Sequence, residues 1–322
     1  MTKALHFLFT LLILTATAQA QVATVPASYT SVFAGNPPGT YTGIDCCGED
    51  PTGKTPCSFT RDADTFVFLL SGQSLNGNNV NGARPVSSSI CNYNPYDGRL
   101  YADGVRLLGP LADAATGACV NTDGSQCRDN IGRYIAGEIL SGHTPNHYNK
   151  VILISVPIGG SQAAFWATGA YAPHMAGIIA NIVSHGMTPT AVGWGEGESA
   201  NQAGTSQVDQ FNALTTLIAN ARSAGLPSTV PWIIALETKI TVGGVPTGSP
   251  AVRAAQLQIV NPADNIRSGP DYDVNIPYDA NCRLLPSPHL TGIGTCWPGI
   301  PNGAAGWAGV LWVDKFHQAG LF

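Results

Sequence analysis

Ser74 stands where an apolar run meets a turn: FVFLLSGQSLNGNN, residues 66–79, passes from large hydrophobic side chains into small, polar, turn-forming ones. Such a turn is either a plain strand-to-loop connection or a device that presents a hydroxyl. In the second case the chemistry is acyl transfer, in which the serine oxygen attacks a carbonyl carbon once a base takes its proton. His289 is the best candidate base, in a loop that Cys282 and Cys296 could brace. His317 is the rival, because Asp314-Lys315-Phe316-His317 spells D-x-x-H, although it falls in a stretch that reads as a closing helix. Two more Gly-rich turns follow apolar runs, Gly159-Gly160-Ser161 and Gly195-Glu196-Gly197-Glu198. Glycine lets backbone N–H groups approach a developing negative charge. The N–H groups of Ser74 and Gly160 are therefore candidate oxyanion donors; the plainer reading of these glycines is a tight turn.

The elements that must position these residues follow from hydrophobic periodicity. Four short apolar runs, Thr65–Leu70, Lys150–Val156, Thr190–Trp194 and Pro231–Leu236, read as buried strands. Between and after them Asn130–Leu140, Pro173–His185, Ser206–Ala224 and Gly306–Leu321 read as helices. In Ser206–Ala224 the side chains of Val208, Phe211, Leu214, Leu217 and Ile218 share one side. Continuously apolar strands separated by helices imply a parallel sheet covered on both faces. In such sheets ligands sit at the carboxyl ends of the strands, so the three Gly-rich turns are expected to converge on one edge.

The chain has 322 residues, a net charge of −5 and only 11% charged residues, with Gly 37 and Pro 23. This argues against nucleic acid or an anionic membrane as a partner and describes a loop-rich protein with a weakly charged surface. MTKALHFLFTLLILTATAQA at the start has a basic residue, a short apolar run and a small-x-small ending. It reads as a cleaved secretory leader over 1–20, with an irregular, cysteine-rich lead-in over 21–60 and an α/β domain over 61–322. Eight cysteines, Cys46, Cys47, Cys57, Cys91, Cys119, Cys127, Cys282 and Cys296, read as disulfides in an exported chain. Cys119–Cys127 and Cys282–Cys296 are close enough to close local loops. The other four would tie the lead-in to the loop holding Cys91, and the pairing stays open. The expected location is secreted or periplasmic.

Four blocks occur in order: SGQS (71–74), PIGGSQAAFW (157–166), GWGEGESAN (193–201) and SPHLTGIG (287–294), with VRAAQ at 252–256 between the last two. Together they resemble the SGNH/GDSL hydrolase superfamily over residues 62–320. More narrowly, they resemble the carbohydrate esterases typified by sialate O-acetylesterase and acetylxylan esterase. The resemblance implies a flavodoxin-like three-layer α/β/α sandwich with a mostly parallel central sheet and a catalytic domain without cofactor or metal. It implies Ser74 as nucleophile and His289 as base. The family's acid three residues before the histidine is replaced by Pro286. Glu198, at the glutamate of the family's Q-G-E, is the favoured residue to orient the histidine, with Asp279 second and a Ser–His pair third. Family members place Gln or Asn in the oxyanion hole where this chain has Glu196, and an ionised carboxylate there would repel the oxyanion. Leu75 also stands where the family usually has Asn.

Other motifs carry less. GEDPTGKT (48–55) matches a phosphate-loop pattern, but cysteines precede it and Pro56-Cys57 follow, so the strand and helix that such a loop needs are missing from the pattern. His143 and His147 have metal-like spacing interrupted by Pro145. The tryptophans read as core, with Trp166 and Trp297 as candidates to stack on a sugar. The expected activity is removal of O-acetyl groups from an acetylated carbohydrate by an acyl-enzyme on Ser74. The alternatives are a binding protein that keeps the fold without turnover and, less favoured, an esterase acting on lipid. Oligomeric state is not legible.

Overall fold

Every residue of β1 (Thr65–Gly72) is buried. Val67 and Leu69 enter one hydrophobic cluster, while Phe66, Phe68 and Leu70 enter another, as a strand covered on both faces requires. The structure is a computed structural model that describes residues 55–76, 80–81, 84–95, 98–103, 128–283, 289–290, 296, 298 and 302–322. The remaining strands are β2 (Val80–Asn81), β3 (Ile90–Asn94), β4 (Arg99–Ala102), β5 (Arg128–Asp129), β6 (Lys150–Ser155), β7 (Ala191–Gly195), β8 (Trp232–Leu236), β9 (Ile240–Val242), β10 (Val245–Thr247) and β11 (Ile266–Asp271). Seven of them form one sheet in the order β11-β8-β7-β1-β6-β3-β4. All neighbours are parallel except β3 and β4. Taken in chain order, β1, β6, β7, β8 and β11 are arranged 2-1-3-4-5, the flavodoxin-like order, with β3 and β4 added beyond β6.

The helices are α1 (Ile131–Ser141), α2 (Ala163–Ala167), α3 (Ala172–Ser184), α4 (Glu198–Gln202), α5 (Gln207–Ser223), α6 (Pro250–Gln258), α7 (Tyr272–Asn275) and α8 (Gly303–Gln318). Trp166 of α2, Met175 and Ile178 of α3, and Leu214 and Leu217 of α5 pack on one face of the sheet. Ile131 and Ile135 of α1, and Ala304, Trp312 and Phe316 of α8, pack on the other. The result is a three-layer α/β/α sandwich with a mostly parallel central sheet. No helix among the described residues is long and apolar enough to cross a membrane.

Local chemistry sets the helix ends. The Asn130 side chain caps α1 by accepting from the Gly132 N–H at 2.7 Å, and Ser206 caps α5 by accepting from the Asp209 N–H at 3.1 Å. The expected stripe on α5 holds for Leu214, Leu217 and Ile218. Val208, however, is exposed, because it lies on the side of α5 opposite the buried Gln210, Leu214 and Leu217. The closing helix begins at Gly303, after Asn302 in the left-handed region (φ 67°), earlier than its apolar pattern suggests. Cys57 bonds to Cys91, and Cys57 N–H donates to Leu100 O at 3.1 Å, so the end of the lead-in lies along β4. The leader, Cys46, Cys47, Cys119, Cys127, Trp297 and most of the phosphate-loop-like stretch lie outside the described residues.

Candidate active site

At the carboxyl end of β1 the chain turns into a short 3₁₀ helix, Ser74–Asn76. Strand β1 is flanked by β6 on one side and β7 on the other, so residue 74 sits where the strand order reverses, the point at which such sheets bind ligands. The turn is tied to both neighbours. Gly72 O accepts from Ile158 N–H at 3.0 Å and from Ser161 Oγ at 3.1 Å, and Gln73 N–H donates to Gly195 O at 2.8 Å. Gly72 itself has φ 116°, and a Cβ there would collide with the Gly195 carbonyl. Only glycine fits that junction.

His289 meets Ser74 directly. Its Nε2 lies 2.8 Å from Ser74 Oγ, with both residues half-buried. Three features hold the histidine loop. Cys282 bonds to Cys296 across a separation of 14 residues. Leu290 is buried in the cluster beneath α8. Arg283 and Leu290 form an antiparallel bridge. The adjacent imidazole can take the serine proton, which makes the hydroxyl a nucleophile.

The second-block turn lies between the two groups that bond Gly72 O. Within it Gly160 is exposed, has φ 71°, and its N–H meets no acceptor among the described residues. Trp166, expected as a candidate sugar platform, is instead fully buried in α2, where its Nε1–H donates to Ser161 Oγ at 2.8 Å. It secures the turn from below.

The third block departs from expectation in two ways. Glu196 bonds inward. Its carboxyl is wholly buried and accepts from Ala163 N–H at 3.2 Å, Ala200 N–H at 3.2 Å and Gln210 Nε2 at 2.9 Å. It therefore joins α2, α4 and α5. Burial pushes it up to about 7, and those three donors oppose the shift. The Glu198 carboxyl, favoured to orient His289, accepts from Gln73 Nε2. Burial pushes Glu198 up to about 8, with its own N–H and Arg283 opposing and Asp273 and Glu196 adding to the rise.

Asp279, the second candidate acid, is spent on its own turn: its Oδ1 accepts from Asn281 N–H at 2.8 Å and Cys282 N–H at 3.2 Å. Neither carboxylate hydrogen-bonds His289. His317 is exposed near the end of α8, and it is His289 that meets Ser74 Oγ.

The VRAAQ stretch and several residues without a sequence signal of their own complete the surroundings. Gln256, from VRAAQ, donates to Glu196 O at 2.7 Å, and Arg253 of the same stretch pairs with Asp271. Asp273 accepts from Thr238 and Lys239 N–H groups. Glu237 is buried at the end of β8 beside Asn76 and Gly195. Burial, followed by repulsion from Glu198 and Asp273, raises it well above the usual carboxylate range. Among the described residues no group of three or more His, Cys, Asp or Glu could hold a metal ion.

No family model and no curated protein matches the chain. Solved structures do. One is a protein from Arabidopsis thaliana, 21% identical over 80% of this chain and 98% of that one, with a TM-score of 0.49. NanS is 12% identical over 82% of this chain and 97% of its own, also with a TM-score of 0.49. A carbohydrate acetylesterase from Xanthomonas citri is 15% identical over 79% of this chain and 57% of its own, with a TM-score of 0.47.

Proposed function

We propose that this protein is an exported serine esterase that removes O-acetyl groups from carbohydrate. The observation that carries the reading is the 2.8 Å approach of His289 Nε2 to Ser74 Oγ at the switch point of the sheet. Ser74 Oγ attacks the acetyl carbonyl carbon as His289 takes the hydroxyl proton. The Ser74 and Gly160 N–H groups receive the negative charge on the carbonyl oxygen. Collapse breaks the ester bond, and the departing sugar hydroxyl takes the proton back from His289. Water then attacks the acetyl-serine with His289 again as base, releasing acetate and restoring Ser74. Carbohydrate as the substrate is supported by the ordered resemblance of the four sequence blocks. Export is supported by the leader and by the Cys57–Cys91 and Cys282–Cys296 disulfides, which persist in oxidising compartments.

The test is acetate release from acetylated xylan and from p-nitrophenyl acetate. Wild type is expected to turn over both, and Ser74→Ala to lose at least about 10³-fold in kcat. Equal rates for the two proteins would overturn the assignment. Turnover of p-nitrophenyl acetate without any acetylated polysaccharide would remove the carbohydrate half of it.

A further inference from the structure

Gln73, the residue immediately before Ser74, makes three bonds to one segment. Its N–H donates to Gly195 O at 2.8 Å. Its side-chain Oε1 accepts from Ser199 N–H at 3.1 Å, and its Nε2 donates to Glu198. The side chain is buried, with 2% of the residue exposed, and Glu198 is buried beside it. An amide of this length accepts from a backbone N–H and donates to a carboxyl at the same time, whatever the carboxyl's charge. From these bonds we infer that Gln73 is a positioning residue, clamping the Ser74 turn to the start of α4, with Glu198 as the other jaw rather than as the acid of a Ser–His–acid relay.

Ser74–Asn76 is a single 3₁₀ turn, too short to hold itself. Asn76 Nδ2 secures its far end by donating to Ser71 O at 2.9 Å, and Gln73 secures its near end. The Glu198 jaw is in turn set by neighbours on every side. Asp273 and Glu196 repel charge on it and Arg283 favours charge. Loss of the clamp frees the serine to move relative to His289, and displacement of order 1 Å at a reacting atom costs about 10²-fold in rate.

The inference rests on the esterase reading for its kinetic test but carries its own structural one. Gln73→Glu keeps an acceptor for Ser199 N–H but loses the amide donor, so the two buried carboxyls bond only while they share a proton and repel one another once both ionise. Adding Glu198→Gln moves the donor to the opposite jaw and restores both bonds with the same number of carboxyls. With p-nitrophenyl acetate, Gln73→Glu should lower kcat about 10²-fold at nearly unchanged KM. The double variant should recover to within about tenfold of wild type. Hydrogen exchange of the peptide spanning the Ser74 turn should rise in Gln73→Glu and fall back in the double variant, and it reads the clamp whether or not the protein turns over ester.

A double variant no better than Gln73→Glu in both kcat and exchange would overturn the clamp. Restored exchange without restored kcat would mean that Glu198 acts as an acid on the chemistry, and would overturn it as well. Wild type inert towards ester, with exchange following the swap, would sink the esterase reading and leave the clamp standing.

Discussion

Glu196 occupies the position at which the family resemblance places an oxyanion donor, and its surroundings show why a carboxylate is tolerated there. Three donors from α2, α4 and α5 converge on its two oxygens. Glutamine has a single acceptor oxygen and an NH₂ that would face a donor. Glu196→Gln should therefore destabilise the protein by about 1–3 kcal/mol, lowering Tm by several degrees in a thermal melt without raising kcat. A carboxylate facing the oxyanion would give the opposite result, with kcat rising on neutralisation. The same substitution thus separates a structural from a catalytic placement of this residue. That Ser74 and His289 would lie together was legible from residue type and the order of the four blocks. The orientation of Glu196 was not, because it is decided by Gln210 and the first residue of α2, which adjoin it only in the folded chain.

Among the elements, the histidine loop depends most on a covalent tie. Cys282 and Cys296 bracket His289, and their bond is predicted to contribute about 3 kcal/mol by restricting the unfolded chain. Its local effect should be larger than its global one, since Leu290 and the Arg283–Leu290 bridge are the other restraints described. Replacing both cysteines by serine should cost about 10–10² in kcat through mispositioned imidazole, while the far-ultraviolet circular dichroism of the sheet and helices stays at the wild-type level. Equal kcat in the variant would mean that burial of Leu290 alone sets the histidine. The four apolar strands and four long helices were legible because each is covered on a whole face. The hairpin of β3 and β4 and the strand β11 were not. ICNYN and RLYA are short and mixed, and IRSGPD holds both Gly and Pro, so they become strands only by pairing with neighbours that already exist. The Cys282–Cys296 link was one of the pairings that proximity allowed, with the choice left open. The partners of Asp279 were not, because a side chain that caps its own turn leaves the same sequence trace as one that reaches a histidine.

For the molecule as a whole, the edge that hosts the site also concentrates buried acid. Glu196, Glu198 and Glu237 come from the ends of β7 and β8 and are each at most 4% exposed; burial raises the proton affinity of all three, Glu196 adds to the rise at Glu198, and both add to it at Glu237. A carboxyl with a folded-state pKa raised above its unfolded value of 4.5 holds its proton in the folded state after the unfolded chain has lost it. The folded state then binds more protons, so stability falls as pH rises from about 4.5 to about 8. His174 acts in the other direction. It is buried against Trp166, and burial lowers it from 6.5 to about 3, so its contribution is lost as pH falls through that window. Between 4.5 and 6.5 the two effects oppose one another, and above 6.5 only the carboxyls remain. Denaturant midpoints measured across pH should therefore decline from about 6.5 to about 8, by up to about 1.4 kcal/mol per pH unit for each carboxyl still titrating. Glu237→Gln should flatten that decline, because the Glu237 carboxyl, with neither oxygen partnered among the described residues, holds in the folded state a proton that the unfolded chain has lost. An unchanged slope in that variant would mean that the buried acids are charged in the folded protein and held by Arg283. Their cost would then appear as lower stability at every pH rather than as a dependence on it.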